Sequence, residues 1–293
     1  MKIVACADLH FQKESPKYRK DNYFQTQVGK LGWIVNLANQ IEGRLFIAGD
    51  IFDSSKAGYA VTNTLMRVLG ELDQLPVACF GNHDTHYHSS ELSNTPFGTL
   101  LASETIICED ISLGKVQVTM LNWGVEPAKP VLGKINILLG HVSVFKEAVP
   151  FWAEDSEAYT PKSLRKRYPG YEYYITGDIH DPFERNNVIN PGSMCRMNQG
   201  QVDFLPRVYV LDTDTGKIEL HYIPVEPSEN VFDLDGADLD KAKDTKALND
   251  FVGALRLNES GDKPNFRNVL DLVIKEVKPP QESIDIIADI IGD

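Results

Sequence analysis

Pro76-Val77-Ala78-Cys79-Phe80-Gly81-Asn82-His83-Asp84 is the stretch on which the fold turns. The apolar run Pro76–Phe80 predicts a short buried strand, and the glycine with its polar triplet predicts the loop into which that strand runs. An Asn able to ligate a metal through its carbonyl, a His able to move a proton and an Asp able to orient that His stand at three successive positions. Stability seldom requires that combination. The end of this strand is therefore a candidate site, and the rest of the chain shows whether other strand ends join it.

Working outward, four more polar clusters follow apolar runs: Asp8-Leu9-His10 after Ile3–Ala7, Gly49-Asp50-Ile51-Phe52-Asp53 after Leu45–Ala48, Gly140-His141 after Ile135–Leu139, and Gly177-Asp178-Ile179-His180 after Tyr173–Thr176. Between the early runs lie helical patterns, one from about Asn22 to Ile41 and one through Val61, Leu65, Val68, Leu69 and Leu72. This is a βαβαβ order. Further strand-like runs at Lys115–Leu121, Asn187–Ile189, Arg207–Leu211 and Ile218–Ile223 predict a two-sheet α/β sandwich flanked by helices rather than one doubly wound sheet. In open α/β folds the carboxyl ends of the strands meet at one crevice. A lone DxH or GH carries little weight, because a strand-end Asp commonly caps a helix; five such clusters in order carry much more. A set of oxygen and imidazole donors without cysteine suits Mn²⁺, Fe or Zn²⁺.

The chain has 293 residues and a net charge of −13, room for one sizeable core and an appendage. Residues 226–293 hold 16 acidic against 8 basic side chains, which leaves a net −5 for residues 1–225. Pro224, Pro227 and Ser228 mark the expected boundary between a domain 1–225 and a small α+β appendage 226–293, with helices near 238–255 and 282–291 around a strand near 269–277. No apolar run reaches the roughly 18 residues of a membrane span. The start Met1–Asp8 meets a charge too early for a signal peptide, so a cytoplasmic protein without a membrane partner is expected. Cys6, Cys79, Cys108 and Cys195 form no CxxC and predict free, mostly buried thiols.

The ordered set DxH, GDxxD, GNHD, GH and GxxH resembles that of the calcineurin-like metallophosphoesterases. Within that superfamily residues 1–225 resemble the SbcD-type nuclease subunits and their bacteriophage relatives, including Asn190-Pro191-Gly192-Ser193-Met194 after the last motif. The resemblance implies two metal ions, Mn²⁺ foremost, with Asp8, His10 and His180 on the first, Asn82 and His141 on the second, and Asp50 bridging. It implies that His83 is the catalytic histidine, protonating the leaving oxygen or stabilising the transition state, with Asp84 orienting it. The family reads GHxH at the fifth motif, where this chain has Asp178; that carboxylate either ligates or only touches a ligand.

Lys13, Lys17, Arg19 and Lys20, interleaved with Phe11 and Tyr18, follow the first motif and are the candidate substrate contacts, the cations for a phosphate backbone and a ring for stacking on a base. A solvated loop explains the same run equally well. A second basic run, Lys162, Arg165, Lys166 and Arg167, fits an exposed helix face better, and His86 and His88 fit an exposed loop. The leading expectation is an SbcD-like DNA exonuclease or endonuclease of repair or recombination, homodimeric, working with an SbcC-like coiled-coil ATPase in a bacterial or phage-infected cytoplasm. The alternatives are a phosphodiesterase or phosphatase of small molecules or phosphoproteins, and a non-catalytic scaffold that binds DNA ends.

Overall fold

In the computed structural model the described residues are 1–86, 91–150, 153 and 157–233. Strand β1 (Lys2–Cys6) leads through helix α1 (Tyr23–Gln40) to β2 (Arg44–Ala48), and α2 (Tyr59–Leu69) leads to β3 (Val77–Cys79). Next come α3 (Pro96–Ala102), β4 (Ile111–Leu113), β5 (Val116–Leu121) and β6 (Ile135–His141). A two-stranded ribbon of β7 (Ser143–Val144) and β8 (Ala158–Tyr159) precedes α4 (Pro161–Arg167) and β9 (Tyr173–Gly177). The chain continues through β10 (Phe183–Arg185), β11 (Val188–Asn190), β12 (Arg207–Asp212), β13 (Lys217–Tyr222) and α5 (Ser228–Val231).

Two sheets result, ordered β13-β12-β1-β2-β3 and β10-β11-β9-β6-β5-β4. Strands β1, β2 and β3 run parallel in the first, and β5, β6, β9 and β11 in the second. Antiparallel strands flank both parallel cores. The parallel runs are mainly apolar because both of their faces are covered, with Gln117, Thr119, Asn136 and Thr176 as buried polar exceptions. On β1, Ile3 and Ala5 face the layer between the sheets while Val4 and Cys6 face the helices; on β2, Phe46 and Ala48 alternate in the same way with Leu45 and Ile47. Helix α1 starts at Asn22, whose side chain accepts from Gln25 N, and buries Leu31, Ile34, Val35 and Ala38 at helical spacing. Helix α4 covers the second sheet's outer face through Leu164. The mixed α/β sandwich expected from the strand pattern is the fold found.

The compact unit runs Met1–Asp233. Residues 226–232 are held to its body: Arg196 donates to Glu226 O at 2.5 Å and Ser228 Oγ at 2.8 Å, its guanidinium lies 5.6 Å from the Phe232 ring, and Lys20 N donates to Val231 O at 2.9 Å. The helices expected near 238–255 and 282–291 and the strand near 269–277 fall outside the described residues.

Candidate metal centre

Five of the parallel strands deliver a polar cluster to the same edge. Strand β1 places Asp8 and His10, β2 places Asp50, the loop after β3 places Asn82 and His83, β6 ends on His141, and β9 leads into Asp178 and His180. Asp8, His10, Asp50 and Asp178 all adopt positive φ, at 48°, 43°, 47° and 94°. Non-glycine residues avoid that region, and strain of this kind gathers where function demands it. It is held by Asp8 N donating to Gly49 O at 3.2 Å, His10 N to Asp50 O at 3.0 Å and Asp178 N to Asp8 Oδ1 at 3.0 Å. Two motif glycines have a steric cause: a Cβ on Gly81 would stand 2.1 Å from Asp50 Oδ1, and one on Gly49, which has φ 82°, would stand 2.4 Å from His141 Nδ1.

Three sets of possible ligand atoms converge, each within 4.8 Å of one another: Asp8, His10 and His180; Asp8, Asp50 and His141; and His10, Asp50 and His83. Asp8 and Asp50 each belong to two sets, so the sets share one centre. His10 Nε2 faces His180 Nε2 at 3.0 Å and Asp50 Oδ2 at 3.6 Å. His141 Nε2 faces Asn82 Oδ1 at 3.1 Å, Asp50 Oδ2 at 3.4 Å and Asp178 Oδ1 at 3.6 Å. His141 Nδ1 lies 3.0 Å from Ala48 O, and since a carbonyl only accepts, Nδ1 carries the proton and leaves Nε2 as the ligand atom.

The buried carboxylates set the electrostatics. Burial lowers His141, but Asp50, Asp8 and Asp178 outweigh it and raise its pKa to about 10. Burial would raise Asp50, yet His141, His10 and His83 hold it down at about 2. His10 is raised too, its burial outweighed by Asp53, Asp50 and Asp8. Negative charge buried this deeply calls for cations, either protons on the imidazoles or metal ions. A metal fits better: His10 Nε2 and His180 Nε2 stand 3.0 Å apart with Asp50 Oδ2 3.6 Å from the first, imidazole nitrogens and a carboxylate oxygen converging as ligands do. The set contains no sulfur, which matches a hard or borderline divalent ion.

Asp84 departs from expectation. It is fully buried and does not face His83; its Oδ1 accepts from Phe52 N at 2.9 Å and its Oδ2 from Gly81 N at 3.0 Å and Ile51 N at 3.2 Å. Burial and the Asp50 charge push it up to about 7 against those three bonds. Asp84 thus pins the β2 loop to the β3 loop. The group that orients His83 is the carbonyl of Asp53, 2.6 Å from Nδ1, while His83 N donates to Asp50 Oδ1 at 3.0 Å. Asp53, which the sequence marks as the second Asp of Gly49–Asp53 without giving it a role, reaches the site through both its carbonyl and its carboxylate. Sequence reasoning passed over Ser143, whose hydroxyl donates to Asp178 Oδ2.

The basic loop divides. Arg19 is buried, paired with Asp21 at 2.6 Å, donating to Arg196 O and lying 4.5 Å from the Tyr23 ring, so its charge is taken up within the fold. Phe11 is buried in the core and offers no ring to a base. Lys13, Lys17 and Lys20 are exposed, Lys17 lying 4.7 Å from the Tyr18 ring. In the second run Arg167 pairs with Glu126 and Arg165 donates to Asn186 O at 2.5 Å. His86 Nδ1 lies 3.4 Å from Ser55 Oγ, and His88 falls outside the described residues.

An α/β sandwich with aspartate, histidine and asparagine donors gathered at its parallel strand ends is the framework of a metal-dependent phosphoesterase. The calcineurin-like phosphoesterase family model matches residues 1–182, and the chain belongs to that family. Its members are dimetal-dependent, and the donor set above fits two ions. Among solved structures the chain is similar to one described as a novel archaeal phosphodiesterase, at 15% identity over 76% of this chain and 99% of that one, with a TM-score of 0.41. No curated protein matches the sequence. Among the described residues, no helix is long and apolar enough to cross a membrane.

Proposed function

We propose that the chain hydrolyses phosphodiester bonds of DNA as an SbcD-like nuclease. The observation that carries the hydrolytic part is His83: its Nδ1–H is committed to Asp53 O, its ring stands edge-on to His10 at 4.8 Å between centroids, and its side chain is exposed. Its Nε2 is therefore the atom that meets substrate. In this reading Asp8, His10 and His180 would hold one ion and Asn82 and His141 the other. Asp50, whose carboxylate faces both His10 and His141, would serve both ions, and Asp178 borders His141. Divalent ions held there, Mn²⁺ by preference, would supply polarisation of the phosphoryl group and a water activated at neutral pH. When protonated on both nitrogens, His83 gives its Nε2 proton to the leaving oxygen and keeps Nδ1–H, which the Asp53 carbonyl accepts, so that contact holds the ring's orientation through the transfer.

Support for a polymeric substrate comes from the exposed Lys13, Lys17 and Lys20 beside the first motif, which suit phosphates along a strand. A second reading, a phosphodiesterase of small molecules, is favoured by a cavity of 510 Å³ lined by His141, Trp123 and Tyr168. Homodimerisation, an SbcC-like partner and a capping or partner-binding role for residues 226–293 belong to the same proposal through the resemblance. The deciding measurement is Mn²⁺-dependent turnover of linear duplex DNA, single-stranded DNA and a generic phosphomonoester by wild type and His83→Ala. Cleavage of DNA that His83→Ala abolishes is the expected result. Turnover of the monoester with intact DNA sinks the nuclease reading.

A further inference from the structure

A cleft of 490 Å³ opens beside the metal centre, lined among others by Lys13, Asp53, Ser54, Lys56 and Tyr59. Asp53 joins the two, because its carboxylate lies 3.3 Å from His10 Nδ1 and its carbonyl accepts from His83. The same cleft is lined by Tyr59, the first residue of α2, with 90% of its surface exposed. An aromatic ring of that size is normally packed away. Among the described residues, the Tyr59 hydroxyl and the ammonium groups of Lys13 and Lys56 make no hydrogen bond or ion pair. The carboxylate of Asp53 is turned to His10, which leaves Glu14 as the cleft's other acid against its two lysines.

We propose that this cleft seats an unpaired nucleotide next to the scissile phosphodiester, with Tyr59 as the stacking platform and Lys13 and Lys56 as phosphate contacts. The inference rests on the nuclease reading and narrows it to a single-stranded segment or a melted duplex end. The reason is geometric: an exposed ring stacks only on a base whose face is open, and bases within a duplex are stacked on each other. Stacking on an aromatic side chain is indifferent to base identity, and phosphate contacts by lysine carry no sequence information, so the cleft binds strand without selecting sequence.

The test is steady-state cleavage, with Mn²⁺, of a short single-stranded oligonucleotide by wild type, Tyr59→Ala, Tyr59→Phe and Lys56→Glu, with methyl p-nitrophenyl phosphate as a small diester for the wild type. Tyr59→Ala is expected to raise KM for the oligonucleotide about tenfold, the fold-change that stacking of one base on one ring corresponds to, and to leave kcat within about twofold. Tyr59→Phe keeps the ring and retains the wild-type KM. Lys56→Glu raises KM and weakens its salt dependence. An unchanged KM in Tyr59→Ala overturns the platform while leaving the nuclease reading in place. Hydrolysis of the small diester by a wild type that cleaves no oligonucleotide overturns both.

Discussion

At the scale of single residues, two neighbours in one motif have separate tasks. His83 is exposed and meets the site through Asp53 O and Asp50 Oδ1, so His83→Ala is expected to lower turnover by about 10²- to 10⁴-fold, the range of a lost general acid. Metal content measured by elemental analysis should stay at the wild-type level, because the remaining donors are intact. Asp84→Ala should do the opposite of what adjacency suggests. It removes the acceptor for three buried N–H groups and is expected to lower unfolding free energy by about 3 kcal/mol or more, read by urea denaturation. A variant that keeps full stability and loses only turnover would restore Asp84 as a partner of His83. The sequence made both residues visible as types but not their partners. Asp84 binds backbone N–H groups, and His83 is oriented by a backbone carbonyl; neither contact has a side-chain signature.

At the scale of elements, the long apolar runs were legible because both faces of β1, β2, β3, β6 and β9 are covered, which leaves no polar alternation to confuse them. Helix α1 was equally legible from its spacing. What stayed hidden is short and broken by polar residues: β4 and β10 span three residues each, as the apolar β3 does, but include Ser112 and Glu184–Arg185, and β7 and β8 span two, too little for a period of two to be read. Helix α3 has a Thr95 cap and Pro96 at its start but runs only to Ala102. Also unreadable was the left-handed backbone of Asp8, His10, Asp50 and Asp178, since Asp and His are enriched at positive φ but adopt it too rarely for the residue type alone to signal it. The glycines did give a cue, and it can be tested. In Gly81→Ala the new methyl would meet Asp50 Oδ1 at 2.1 Å and Asp50 N at 2.7 Å, so the β2 loop must shift. The variant is expected to fold, as judged by circular dichroism, and to lose most of its Mn²⁺ affinity by calorimetric titration. Wild-type affinity would show that the Gly81–Asp50 approach does not shape the site.

At the scale of the whole molecule, a net charge of −13 opposes a nucleic-acid substrate, but part of that charge lies in the site. Asp8, Asp50 and Asp178 meet His141 there, and their field links ion binding to stability. Without metal, the folded protein holds His141 protonated up to a pKa of about 10, above the roughly 6.5 of an unfolded histidine. A raised folded pKa stabilises fully below the unfolded value and loses that contribution as pH rises through the folded one. The metal-free protein therefore loses this contribution progressively from about pH 6.5 upward. Metal binding needs His141 Nε2 unprotonated and so releases a proton, and its affinity rises over the same interval. An ion present at about 100 times its Kd adds about 2.7 kcal/mol to the folded state. The gap in Tm between Mn²⁺-loaded and chelator-treated protein should thus be positive and should widen from pH 6 to pH 8, measured by differential scanning fluorimetry. A gap that narrows over that interval would mean that His141 is not held protonated by the three carboxylates, and that protons and metal do not compete for its Nε2.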